Sequence, residues 1–124
     1  MTQPLALVYY RNFMPGSQLP SRLEDLDYRV EVAPSLEDLA TLAVEKKPFL
    51  IIVEVTEDAA AACAALEQLR REPAVKHVPV LAYTSLADDR VQSQVRNAGA
   101  TVVASDVAVN AHLRQLLNRV LQIE

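Results

Sequence analysis

A chain of 124 residues with 51% apolar content fits a single domain, residues 1–124, that can bury roughly two thirds of its unfolded surface. A formal charge of −4 and a pI near 5.2 give no field to concentrate a nucleic-acid backbone, and the lone cysteine, Cys63, excludes an internal disulfide. The start Met1-Thr2-Gln3-Pro4 lacks the basic opening of a signal peptide, and no apolar run approaches the roughly 20 residues that cross a bilayer, so a soluble cytoplasmic protein is expected.

Leu5-Ala6-Leu7-Val8-Tyr9-Tyr10 is apolar or aromatic without helical period, the pattern of a strand covered on both faces. Asn12, Pro15 and Gly16 mark a loop, after which Leu19, Leu23 and Leu26 predict a short first helix. Tyr28-Arg29-Val30-Glu31-Val32 alternates apolar with charged residues and reads as a second strand at a sheet edge. Ser35, three residues before Asp38, is a capping signal for a second helix with the stripe Leu36, Leu39, Ala40, Ala43 and Val44, which ends near Lys46-Lys47. Pro48 closes it, and Phe49-Leu50-Ile51-Ile52-Val53 predicts a central third strand whose carboxyl end is Glu54-Val55.

Glu57 to Arg71 is alanine-rich, with acids at its start and Arg70-Arg71 at its end, and predicts a third helix. Val78 to Tyr83 predicts a fourth strand, and Ser85 with Asp88 repeats the capping spacing before a fourth helix carrying Val91, Val95 and Ala98. Gly99 is placed to end that helix in a left-handed conformation, and Ala100 to Ala104 predicts a short fifth strand. Asn110 is placed to cap a last helix with Leu113, Leu116, Leu117, Val120 and Leu121 on its apolar face.

Five strands alternating with five helices demand a parallel sheet, because each helix is the right-handed crossover between strands. The expected class is α/β, a doubly wound three-layer sandwich. In such sheets ligands bind beyond the carboxyl ends of the strands. Tyr9, Tyr10 and Arg11 follow the first strand, Glu54 the third, Thr84 and Ser85 the fourth, and Ser105 and Asp106 the fifth.

Lys47-Pro48-Phe49-Leu50-Ile51-Ile52-Val53-Glu54-Val55, Val78-Pro79-Val80-Leu81-Ala82-Tyr83-Thr84-Ser85 and Asn97-Ala98-Gly99-Ala100 resemble three stretches of the receiver domains of two-component response regulators. The resemblance covers nearly the whole chain and implies a flavodoxin-like sheet of strand order 2-1-3-4-5. It places Glu54 at the phospho-accepting aspartate and Thr84 at the switch hydroxyl. The family's chemistry uses two acidic residues after the first strand to hold magnesium, and a lysine after the fifth to neutralise the phosphoryl group. By the same alignment Tyr9 and Tyr10 replace the acidic pair, Asp106 the lysine, Val107 the proline after it and Val103 the switch aromatic. Only the Thr84 hydroxyl is retained in kind.

A tyrosine pair brings no negative charge to a hard divalent cation at neutral pH, so neither magnesium binding nor phosphorylation in the family's manner is expected, and no metal or cofactor is implied. Glu54 has two readings. It either imitates a phosphorylated aspartate, taking a hydrogen bond from Thr84 or a contact from Arg11, or is a drifted polar residue at a wet strand end. Adjacent strand residues point to opposite faces, so only one of Tyr9 and Tyr10 can line the crevice, and filling of the vacated space is favoured over a ligand pocket.

His77 and His112 lack further ligands at metal spacing and read as surface residues, and Cys63 reads as an inert packing thiol. Ser17, Ser85 and Ser105 have no nucleophile-elbow context, and no glycine-rich phosphate loop follows the first strand. The expectation is a non-enzymatic, phosphorylation-independent receiver that acts on a protein partner or output domain, without direct contact with nucleic acid or membrane. Arg90, Arg96, Arg114 and Arg119, with Asp88 and Asp89, mark the fourth-helix, fifth-strand, fifth-helix face as a candidate homodimer surface. The alternative is a small-ligand sensor using the altered pocket, for which Tyr9, Tyr10 and Tyr83 are the motive.

Overall fold

The three most apolar runs of the chain form the centre of the sheet. In the computed structural model, which describes residues 3–11, 17–56, 59–85 and 88–122, β1 (Leu5–Tyr9), β3 (Leu50–Val55) and β4 (Val80–Thr84) are buried at every position. The alternating segment becomes β2 (Arg29–Val32), an edge strand with Val32 44% exposed, and β5 (Val102–Ser105) forms the other edge. All pairings are parallel, in the order β2-β1-β3-β4-β5. The expected sheet and strand order are therefore present. The chain reverses its winding between β1 and β3, which opens a crevice above their carboxyl ends.

The helices are α1 (Leu19–Asp25), α2 (Leu39–Lys46), α3 (Ala59–Arg71), α4 (Asp89–Ala98) and α5 (Asp106–Gln122). Strand alternation sorts the core into two layers. Leu7, Tyr9, Ile51, Val53, Val80 and Ala82 pack with Leu39, Leu66, Leu69 and Val95 of α2, α3 and α4. Ala6, Val8, Leu50, Ile52, Leu81 and Tyr83 pack with Leu19 and Leu23 of α1 and with Leu113, Leu117 and Val120 of α5. Among the described residues no helix is long and apolar enough to cross a membrane.

Several boundaries differ from the sequence reading. Phe49 lies outside β3 and is 53% exposed; its N–H donates to Leu5 O at 2.8 Å. Ser35 accepts from Asp38 N at 3.2 Å, as its spacing predicts, although regular helix begins only at Leu39. Ser85 does not cap α4. Asp88 does, accepting from Arg90 N at 2.8 Å.

Asn110 does not start the last helix either, because Ser105 Oγ accepts from Ala108 N at 3.0 Å and satisfies the terminal donors earlier. Asn110 instead sits inside α5, where its side chain accepts a long 3.5 Å bond from Arg22, and the helix breaks nearby at His112 (φ −134°, ψ 38°). The fifth strand starts at Val102 rather than Ala100, and Thr101 clamps the start of β4, donating its N–H to Val80 O and accepting from Val80 N. The expected loop over Asn12, Pro15 and Gly16, and the expected acidic start of the third helix at Glu57, lie outside the described residues.

One side chain joins three segments at the amino end of the sheet. Arg70, in the last turn of α3, donates to Gly99 O at 2.9 Å, Lys76 O at 2.7 Å and Val78 O at 2.8 Å. Gly99 closes α4 at φ +134°, and a Cβ there would stand 2.7 Å from Arg70 Cγ. Gly99→Ala is therefore expected to lower the unfolding free energy by about 1 to 3 kcal/mol in urea titrations, through backbone strain and displacement of Arg70.

Candidate functional site at the carboxyl ends of the strands

The sequence-selected residues lie at the carboxyl ends of β1, β3, β4 and β5. Tyr9 is a core residue of the α2, α3 and α4 layer, whereas Tyr10, half-buried, packs against the α1 and α5 layer. The pair is split across the sheet, as the alternation of β1 requires. Thr84 is buried at the end of β4, opposite Ser105 in the register with β5.

Glu54 is only 5% exposed, so the reading of a wet strand end is corrected. Its place on β3 is paired in register with Tyr83 of β4, which directs both side chains toward the α1 and α5 layer. Glu54 Oε1 accepts from the backbone N–H of Arg11 at 2.7 Å. The expected contact with Arg11 exists, but through the main chain. A short bond from a backbone N–H to a carboxylate ties the end of β1 to β3 across the switch point.

Asp106 opens α5, and its Oδ1 accepts from Val107 N at 2.9 Å. A carboxylate in the first turn also meets the positive end of the helix dipole, so the acid that stands where a lysine was anticipated is held by its own helix. Val103 is half-buried against the larger core cluster, and Val107 is 71% exposed.

Tyr83 was noted from sequence only as a possible pocket residue. Its ring is fully buried and its hydroxyl has no hydrogen-bond partner among the described residues. Burial, then the charges of Glu54 and Asp106, then Tyr10, push the phenol pKa up, well beyond its ordinary range. The period of β4 and the register with β3 are the signals that could have put Tyr83 beside Glu54.

The remaining candidates are dispersed. Arg90 and Arg96 are exposed on α4 and Arg119 on α5, while Arg114 lines the groove between α1 and α5 with Arg22 and Asp25. His77 and His112 are both exposed, and among the described residues no group of three or more His, Cys, Asp or Glu could hold a metal. Cys63 is half-buried against the core, and burial followed by the charge of Glu67 pushes its thiol pKa up.

No protein-family model and no curated protein sequence matches this chain. Solved structures do. The chemotaxis response regulator CheY4 of Vibrio cholerae superposes with a TM-score of 0.80 at 20% identity, over 97% of this chain and 100% of that one. The BeF3-activated N-terminal receiver domain of Klebsiella pneumoniae RstA gives 0.81 at 19% identity, over 95% and 98%. The fold is that of a receiver domain. The receiver of the sensor histidine kinase PA1611 from Pseudomonas aeruginosa gives 0.81 at 20% identity, over 97% and 98%, and holds a magnesium ion in its active-site cleft.

The residues of this receiver fold do not fit such an ion. Tyr9 is turned into the core, Tyr10 offers a phenol in place of a carboxylate, one Glu54 oxygen is bonded to the Arg11 amide and one Asp106 oxygen to the Val107 amide. A small cation that prefers octahedral oxygen coordination and one or two free carboxylates finds no prepared set among the described residues.

Tyr83 generates a prediction of its own. Tyr83→Phe removes a buried unpaired hydroxyl and is expected to raise stability by about 1 kcal/mol in urea titrations. Because the folded-state pKa is raised, the neutral phenol's contribution is complete below the ordinary phenol value of about 10 and is lost as pH rises beyond it. The variant should therefore lose less stability than the parent between neutral and strongly alkaline pH.

Proposed function

We propose that this chain is a signalling or regulatory module that uses the receiver fold without aspartyl phosphorylation and acts by contact with protein partners, not as an enzyme. The observation that carries this reading is the charge arrangement of the crevice, where Asp106 stands in place of a cation and two tyrosines in place of two acids. Phosphoryl transfer needs positive charge on the phosphoryl oxygens, and here the fixed charges on both sides, Glu54 and Asp106, are negative.

Glu54 supplies a static counterpart to a switch. Its carboxylate reaches the Arg11 amide and holds the mouth between β1 and β3 in one arrangement, which a reversible modification would otherwise set. The small-ligand reading of this crevice loses its support, since Tyr9 and Tyr83 are packed into opposite core layers.

The contact surface proposed is the α4, β5 and α5 face, with a homodimer, a separate partner or an output domain as occupant. Arg90, Arg96 and Arg119 are exposed there, together with Val107, whereas Arg114 in the α1 groove leaves this set. Exposed ion pairs contribute only about 0 to 1 kcal/mol each, so a homodimer through this face is weak. Sedimentation equilibrium is expected to show concentration-dependent dimers that Arg90→Glu with Arg96→Glu abolishes; a strict monomer at high concentration removes the homodimer.

The decisive experiment is incubation with magnesium and acetyl phosphate followed by intact mass. The expected result is an unmodified chain. A phosphoryl adduct mapping to Glu54 or Thr84 overturns the proposed independence from phosphorylation.

A further inference from the structure

At the amino ends of the strands, opposite the Glu54 crevice, lies an open cavity of about 750 Å³. Its apolar wall comes from Pro48 and Phe49 ahead of β3, Pro79 ahead of β4 and Leu121 at the end of α5. Among the described residues, Phe49 is one of the few large apolar side chains left exposed, at 53%, and it is the aromatic one. The volume lies within the usual range for small-molecule sites, which combine an apolar lining with a few polar groups.

Among the described residues the fixed charges at this cavity, Arg70 and Lys76, are both positive. Arg70, Lys76 and His77 line it, and among the described residues no acidic residue does. The whole chain has a formal charge of −4 and only three lysines, Lys46, Lys47 and Lys76, all in the segments that lead into β3 and β4 from this end. The nearest acids of those segments, Glu45 and Glu72, face a separate groove between α2 and α3. Among the described residues, this end of the sheet is a local positive region within an acidic protein.

Arg70 gives an independent reason for an anion. Its guanidinium is half-buried, and among the described residues its donors go to the carbonyls of Gly99, Lys76 and Val78 and to no carboxylate. Carbonyl dipoles orient the cation without cancelling its charge, and the loss of water around it pushes its pKa down. A fixed, partly desolvated cation, with no carboxylate partner among the described residues, therefore stands behind the apolar wall, with Lys76 and His77 exposed beside it.

We propose that this cavity binds a small amphipathic organic anion, an aromatic carboxylate whose ring lies against Phe49 and Pro48 and whose carboxylate faces Lys76 and His77. The site is distinct from the crevice discussed above, and its occupancy does not depend on whether that crevice is phosphorylated.

The test is a titration of the isotopically labelled full chain, followed by amide NMR shifts, with 2-naphthoate and with its neutral carboxamide. Saturable shifts centred on Phe49, Lys76, His77 and Thr101 are expected for the carboxylate, with at least tenfold weaker binding of the carboxamide. Lys76→Glu, an exposed substitution whose remaining spectrum reports the intact fold, should weaken the carboxylate by a similar factor and leave the carboxamide unchanged. Added salt should also weaken only the carboxylate. Equal affinity for the two compounds, shifts mapping to another surface, or no saturable response at millimolar concentration each overturns the proposal.

Discussion

A parallel sheet covered on both faces imposes one rule on every strand: neighbouring side chains go to opposite layers. The consequences reach the crevice directly. Tyr9 enters the layer of α2, α3 and α4 while Tyr10 lies against α1 and α5, so a tandem pair in sequence cannot act as a pair in space. The same rule, with the β3 and β4 register, gathers Glu54 and Tyr83 on one side and leaves Thr84 to the other. The five residues that a family resemblance aligns as one set therefore approach the strand ends from both faces of the sheet.

The electrostatics then follow from who neutralises whom. Glu54 is buried and accepts from the Arg11 amide, and Asp106 accepts from the Val107 amide in the first turn of α5, so backbone N–H groups bond to each acid. Backbone donors carry no net charge, and the crevice stays negative. That arrangement tolerates a phenol such as Tyr83, whose neutral form is favoured by burial and by the nearby acids, and disfavours an added phosphoryl group.

Most of the fold was legible in the sequence because its signals are local. Continuous apolar runs announced β1, β3 and β4, alternation announced the edge strand β2, and the alanine-rich stretch announced α3. Helix starts were less legible: Ser85 and Asp88, or Ser105 and Asn110, are all competent caps, and spacing alone does not choose among them. The depth of Glu54 was missed because burial at a strand end depends on what the neighbouring loops and helices cover. Arg114 was assigned to the wrong side of α5, since a helix's orientation is fixed by tertiary packing and by the break at His112. The role of Arg70 had no local signature, because its three acceptors come from segments that sequence alone does not bring together.

That arginine has a consequence for how the molecule comes apart. It fastens the end of α3, the approach to β4 and the turn between α4 and β5 to a single rigid head group, so none of these segments can open without releasing the other two. Local fluctuations at this end are thereby converted into a cooperative unit. Amides on β4 and β5 should accordingly exchange with solvent together, as a block, while the β2 edge frays independently.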